Sequence, residues 1–572
     1  MEHILLATNY PNLCGISLYN IEPEKAINLF TGDTIVCSLL TNQIKHLDVE
    51  IKDDITREFS DENESNMFEL ILSLGKCLVD LTFSEWFSGK SLNISTLNIT
   101  STGCVSSSLT KLKIEVNTFD DCLYLLDGRL QCLSTLIIKI FEICYSLANI
   151  DNKKTLPKLK CFSLTSECYT QFYDDGIVLL LRRMLNLEKL TLFLLVSKIE
   201  STYIDGIQLY DEILIFMPRL NKLTFSINTL VFNRYITVDL PSNDDIQNSF
   251  IKRRYQPVGS YADEKLTDYA GRCHVYSLPY QFDCFYHLTN CFQGGIFNKV
   301  RWLAMADQHP FEHELFEKIS HDFPFLQKLV VLNSKPQKNK QHASTLITFV
   351  HLVELDLRLA HTNYVEQFLL ETKTCLPHLK NLVIEYESLA MITNNFTNDA
   401  TRRNCSQLRR IDIDKPFICP ENFHSYFPLF KDRLFHYIDK SKKPQCKNIK
   451  FKRVFQFLYL LLIQYIYDDF CNPTTWRYGK LIPYFQLCSI SYYNPQIKNW
   501  TQHLIEIEYR VKESTTLLFF VIDHNKRSLA IIAEVYYLSA HRSNIIVVMN
   551  SMLENKKQIK IYSIKNFIND KR

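Results

Sequence analysis

The sequence predicts an α/β chain in two unequal parts, an α/β solenoid over residues 1–430 and a small parallel α/β domain over 464–555. Three observations predict this. A short apolar phrase recurs through the first 420 residues at a near-constant period. Beyond residue 464, apolar runs alternate with segments of helical spacing. At 572 residues the chain is also too long for a single compact core.

The phrase is apolar, two residues, apolar, one residue, apolar. It reads Leu13/Ile16/Leu18, Ile44/Leu47/Val49, Leu78/Leu81/Phe83, Leu109/Leu112/Ile114, Leu133/Leu136/Ile138, Leu159/Phe162/Leu164, Leu187/Leu190/Leu192 and Leu220/Leu223/Phe225. It resumes at Val300/Leu303/Met305, Leu326/Leu329/Val331, Leu352/Leu355/Leu357, Leu379/Leu382/Ile384 and Leu408/Ile411/Ile413. Successive starts lie 24 to 34 residues apart, except for one gap of 80. The second and third apolar positions fit a short strand of period two. Segments between, such as 121–126 and 364–370, carry helical spacing. One unit cannot bury its apolar face alone, whereas a stack can. Proline precedes the phrase at Pro11, Pro157, Pro218, Pro324 and Pro377, where it sets a turn that cannot continue a helix. The pattern is leucine-rich-repeat-like, without the asparagine that follows the strand in strict repeats of that kind.

Within the gap, 226–299, Ser242-Asn243-Asp244-Asp245 reads as a helix cap and start. Cys273, His274, Cys284, His287 and Cys291 raise a zinc site. No CxxC clamp accompanies them, however, and Cys284, His287 and Cys291 fall at i, i+3, i+7 beside Phe285 and Leu288. That spacing is expected of a core-facing helix stripe, and no metal is expected.

Residues 439–453 form a basic linker, and the apolar run that follows to Tyr467 is about 14 residues long with Gln456 and Gln464 inside it, short of the roughly 20 that span a bilayer. A connecting helix leading into a buried strand is expected. Strands are then predicted at 464–467, 490–493, 517–522 and 544–549, and helices at 476–487, 502–513 and 528–540. Alternating strands and helices imply a Rossmann/flavodoxin-like parallel sheet, which binds ligands at the carboxyl ends of its strands. Asp468, Asp469, Asn494 and Asp523 stand at those ends, and Glu534 lies inside the helix that leaves Asp523. Carboxylates there suit glycosyl chemistry, with one attacking the anomeric carbon, or serve as helix caps. A lysine-rich tail, 556–572, closes the chain, its segment IKIYSI standing where a fifth strand would be.

Bulk properties narrow the classes. Hydrophobic residues at 46% and charged residues at 22% describe an ordered globular protein. The net charge of +2 provides no global field toward nucleic acid or membrane, so neither is an expected partner. Eighteen scattered cysteines fit reduced, mostly buried thiols in a cytoplasmic or nuclear protein, and the N-terminus has no signal-peptide pattern. Only 13 glycines argue against glycine-rich phosphate loops, and no cofactor is implied.

Two resemblances add to this reading. The phrases YPNLCGISLYNIEPEKAINLFTGDT, LPKLKCFSLT and HTNYVEQFLLETKTCLPHLKNLVI resemble the repeat-bearing receptor part of an expanded F-box family over residues 1–430. This implies an unidentified protein ligand on the solenoid. An F-box would precede Met1, so a ubiquitin-ligase receptor lacking its adaptor-binding module is one expectation. CNPTTWR, YYNPQIKNW, LIEIEYRVKES, LLFFVID and RSLAIIAEVYYL resemble, in order, the nucleoside 2-deoxyribosyltransferase-like family over 466–549. The resemblance implies Glu534 as nucleophile, and Asp523, Asn472, Trp476, Tyr493, Asn494, Arg527 and Ser528 as residues facing a nucleoside or nucleotide. Where the family has a Gly-Gly pair before its Cys-Asn-Pro phrase, this chain has Asp468-Asp469, which disfavours a nucleotide phosphate. A degenerate transferase-like domain is the expectation; an active deoxyribosyl transferase or hydrolase is the alternative.

Overall fold

The structure, a computed structural model, describes residues 12–430 apart from 32–33, 53–60, 87–105, 144–155, 200, 233–238, 252–256, 264–269, 339–344, 414–419 and 421, and five strand segments between 466 and 563. The chain divides into two units, Met1–Gln445 and Cys446–Arg572. The first is mixed α/β with parallel strands dominating, and the described residues of the second form one mostly parallel sheet.

In the first unit, eight strands follow one another in order: β1 (Gly15–Ile21), β2 (His46–Lys52), β3 (Asp80–Trp86), β4 (Lys111–Thr118), β5 (Thr135–Glu142), β6 (Cys161–Thr170), β7 (Lys189–Ile199) and β8 (Lys222–Phe232). Each pairs in parallel with the next. The repeated phrase sets their register: Ile16, Leu47, Leu81, Leu112, Leu136, Phe162, Leu190 and Leu223 are successive partners. Two residues on, Leu18, Val49, Phe83, Ile114, Ile138, Leu164, Leu192 and Phe225 form a second apolar row across the sheet. Both rows turn to the same face, where they pack with Phe30, Leu40, Phe68, Cys122 and other side chains of the intervening helices.

The first apolar residue of each phrase has a separate task. Leu133, Leu159, Leu187 and Leu220 each close a turn, their amides donating to the carbonyls of Leu130, Leu156, Met184 and Met217. Pro157 and Pro218 occupy the second position of such turns, where their fixed φ suits the bend. After the turn, two consecutive amides donate to one carbonyl of the preceding repeat: Ser134 and Thr135 to Thr110, Lys160 and Cys161 to Ser134, Glu188 and Lys189 to Lys160. The helix after β4, Phe119–Leu125, is closed by a capping box in which Thr118 and Asp121 satisfy each other's amides.

Past β8 the pattern changes. Helix Asn243–Ile251 starts where the sequence predicts, with Ser242 Oγ accepting from the Asp245 amide and donating to the Asp245 carboxylate. Strands β9 (Val258–Ala262) and β10 (Ala270–Ser277) then close the ten-stranded sheet antiparallel, β10 lying between β8 and β9. A second sheet begins at β11 (Cys284–Leu288) and continues in parallel through β12 (Trp302–Ala306), β13 (Lys328–Asn333), β15 (Glu354–Ala360), β17 (Asn381–Ile384) and β18 (Arg410–Ile413); the short β14 (Ile347–Thr348) and β16 (Thr374–Cys375) pair beside it. The phrase again sets the register, through Leu303, Leu329, Leu355, Leu382 and Ile411.

The expectation of a helix through Cys284, His287 and Cys291 is corrected: Cys284–Leu288 is a strand. A bulge explains the misreading. Phe285 pairs with Leu303 and Leu288 with Met305, three residues against two, and His287 takes φ 57° to absorb the extra residue. Phe285 and Leu288 therefore both enter the core, at a three-residue spacing that imitates a helix. Asn333 likewise ends β13 as a strand-terminal asparagine, its side chain donating to the His309 carbonyl at 2.6 Å and accepting from the Lys335 amide.

In the second unit, β19 (Ile466–Tyr467), β20 (Tyr492–Tyr493), β21 (Leu517–Asp523), β22 (Ile545–Leu553) and β23 (Lys556–Ser563) form one sheet in the order β20-β19-β21-β22-β23. The first four are parallel, and β23 returns antiparallel along β22. The lysine-rich tail thus supplies the edge strand of this sheet. The three helices expected between these strands, and the apolar segment 454–465, lie outside the described residues.

The apolar register carries a stability prediction. Leu136 is fully buried in the middle of its row, so Leu136→Ala is expected to cost about 2–5 kcal/mol, read as a lowered urea midpoint. Lys113→Ala, on the exposed face of the neighbouring strand, is expected to cost less than about 0.5 kcal/mol.

Candidate functional site

The residues expected to form a site fall in the second unit, and the strand order decides where a ligand would sit. Numbered within this sheet, the order is 2-1-3-4, so the chain reverses direction of growth between β19 and β21. Connections leaving two adjacent strands to opposite sides open a crevice at their carboxyl ends, and this is where such sheets bind ligands. Asp468 and Asp469 follow β19 directly, Asp523 is the last residue of β21, and Tyr493 is the last of β20.

Backbone register shows which of these come together. Asp523 is level with Asn550 of β22. Tyr467 is level with both Tyr493 and Leu518, so Tyr493 stands five residues short of Asp523, about 17 Å along the strand direction at ~3.3 Å per residue. Asp523 and Asn550 therefore share a level at the carboxyl end of β21, while Tyr493 marks a lower level. Asn550 escaped the sequence reading because the predicted strand stopped at Met549, whereas β22 runs on to Leu553. Asp468, Asp469, Asn472, Trp476, Asn494, Arg527, Ser528 and Glu534 lie outside the described residues.

In the first unit, the histidines and cysteines considered as metal ligands are distributed over β10, β11 and, for Cys291, the turn after β11, with β10 and β11 in different sheets. His274 is fixed by polar neighbours: Nε2 lies 2.8 Å from Ser226 Oγ, and Nδ1 lies 3.3 Å from the Tyr261 hydroxyl. Tyr261 also donates to the His287 carbonyl at 3.1 Å. Ser226 reaches the Tyr280 hydroxyl at 3.2 Å, and Tyr280 donates to the Cys284 carbonyl at 2.6 Å. Tyr169 donates to Asn228 Oδ1, and Asn228 donates on to the Tyr286 carbonyl. These bonds tie β8 and β10 of the first sheet to β11 of the second. Around them Tyr276 packs on Phe285 and Phe297, and Phe323 packs on the same two rings, with Phe285 to Phe297 at 5.2 Å and Phe297 to Phe323 at 4.8 Å between ring centres.

The electrostatics are those of a dry joint. Burial pushes His274 down to about 3, and holds His287 well below the usual histidine range with Arg272 and His274 adding to the effect. Burial raises the thiols of Cys273 and Cys291, the latter to about 12, with Asp263 beside both. Neutral thiols are poor metal ligands. Among the described residues no group of three or more histidine, cysteine, aspartate or glutamate side chains is placed to hold a metal. Among the same residues no helix is long and apolar enough to cross a membrane.

The family described as nucleoside 2-deoxyribosyltransferase like matches residues 470–552. No curated protein matches the chain. The matched segment is similar to that family, lies within the second unit, and contains the β21 and β22 positions at which Asp523 is level with Asn550.

The joint carries a pH prediction. Both histidines ionise at lower pH when folded than when unfolded, so below about 6.5 the unfolded chain binds more protons, and stability falls as pH drops from there toward 3. The urea midpoint of the first unit's unfolding is expected to fall steadily over that window. His274→Gln is expected to flatten the fall relative to its own value at pH 7.

Proposed function

We propose that the chain is a protein-binding solenoid, residues 1–430, fused to a degenerate nucleoside 2-deoxyribosyltransferase-like domain. The solenoid reading is supported by the parallel strands β1 to β8, which pair in sequence order, and by the six strands of the second sheet, which pair in ascending order, with turns and helices returning the chain between them. The strand faces turned away from the core form a broad polar surface over β2 to β6, including Asp48, Lys113, Lys139 and Ser163, which suits a protein ligand.

The observation that carries the reading of the second unit is the family match over 470–552 on a sheet whose switch point is flanked by Asp468-Asp469. Two carboxylates immediately after β19 in the sequence would repel a phosphate, and they stand where the resembled family has glycines. We assign this domain a retained fold with lost turnover. One specific observation favours an active enzyme instead: Asn472, Trp476, Tyr493, Asn494, Asp523, Arg527, Ser528 and Glu534 all fall inside the matched segment. In that case Glu534 attacks the anomeric carbon of a deoxynucleoside, the bond to the base breaks, and the base leaves with a proton. Water or a second base then releases the sugar from Glu534. Asp523 and Asn550, level at the sheet edge, would hold sugar hydroxyls.

The test is incubation of the full chain with deoxynucleosides and their monophosphates, followed by separation of free bases. The proposal expects no base release above that of Glu534→Ala. Base exchange or hydrolysis that Glu534→Ala reduces by at least about a hundredfold would establish the active reading instead.

A further inference from the structure

We propose that a cationic corner at the amino ends of β6, β7 and β8 docks an acidic polypeptide segment. The inference rests on the protein-binding reading of the first unit and names the chemistry of the partner.

The amino-terminal row of the polar sheet face alternates in charge wherever ions stand on it. In the first sheet His46, Asp80 and Lys111 are successive register partners, and Lys111 Nζ meets the Asp80 carboxylate at 2.8 Å. In the second sheet Lys328 and Glu354 are partners, also at 2.8 Å. At β7 and β8 the rule breaks. Lys189 and Lys222 are register partners, two like charges side by side on adjacent strands. Such a pair is unfavourable unless an anion lies against it.

The surroundings increase the imbalance. Lys158 and Arg219 sit in the turns that precede β6 and β8, both exposed, and Lys189 and Lys222 are exposed as well. Glu188 is the nearby carboxylate on this edge, and Lys160 holds it at 3.2 Å. Asn221, whose amide donates to the Glu188 carbonyl just before β8, is neutral and adds no carboxylate to the corner. Among the described residues no carboxylate pairs with Lys158, Lys189, Arg219 or Lys222. Thr191 and Asn221 add hydrogen-bonding groups within the same corner.

A run of glutamate or aspartate side chains would complete the interrupted alternation. The scale favours a peptide over a nucleic acid duplex. The corner offers four cations over three strands, and the chain's net charge of +2 extends no wider field, whereas duplex binding draws on about 6–10 phosphate contacts.

The test uses the full chain and a fluorescein-labelled oligo-glutamate peptide, read by anisotropy at low salt. The peptide is expected to bind, with affinity falling as salt rises, and Lys189→Glu/Lys222→Glu is expected to weaken binding by at least about tenfold. Lys111→Gln, which removes a cation already paired with Asp80, is expected to leave affinity within about twofold. Lys189→Gln/Lys222→Gln relieves the repulsion without adding acid and is expected to raise the melting temperature while weakening the peptide. That variant separates lost docking from lost folding. Absence of peptide binding, equal binding by the doubly reversed chain, or tighter corner-dependent binding of a duplex oligonucleotide or of phosphatidylserine vesicles would overturn the proposal. A protein captured by the full chain with no loss in Lys189→Glu/Lys222→Glu would overturn the corner while leaving the protein-binding reading standing.

Discussion

The structure of the first unit depends on lateral registry between apolar rows. Leucine and its equivalents at the second and third positions of each phrase meet their counterparts on the next strand, so one side chain of the row covers both its neighbours. No single repeat has a closed core, since the inner face of each strand is buried partly by the strands on either side. The turn that opens each strand serves the same registry. It places the first apolar residue in the core and brings two amides onto one carbonyl of the repeat before, so every strand starts at the same level as its neighbour.

That constraint explains what the sequence reveals and what it hides. All thirteen phrases mark strands, because each has to supply the same two inward positions, and a period-two core pattern then survives in the sequence. Strands β9 and β10 have no such duty. They pair antiparallel, and β10 divides its faces between two cores, Cys273 and Val275 toward the first and Tyr276 toward the second, so no single alternation stands out. At β11 a bulge stretches the spacing to three and imitates a helix. The joint between the sheets is built from aromatic rings and neutral histidines, which composition alone presents as scattered polar residues.

In the second unit legibility follows a different rule. Asp523 was readable because a carboxylate ending an apolar strand of a parallel sheet points to the ligand edge. Asn550 was not, since its strand outruns its apolar stretch. The role of Glu534 comes from resemblance alone, as helix spacing assigns no chemistry to a carboxylate. The family similarity lies within this unit, over 470–552, so the two units rest on different grounds: a sequence similarity for one and a register of apolar rows for the other.

Amide hydrogen exchange on the full chain, followed by mass spectrometry, tests the registry most directly. If neighbouring repeats stabilise each other through their apolar rows, peptides from β4, β5, β6 and β7 exchange slowest, and protection declines toward β1 at one end and β18 at the other. Protection as high at β1 and β18 as in the middle strands, or fast exchange in β5 and β6, would contradict a structure held together by contacts between successive repeats.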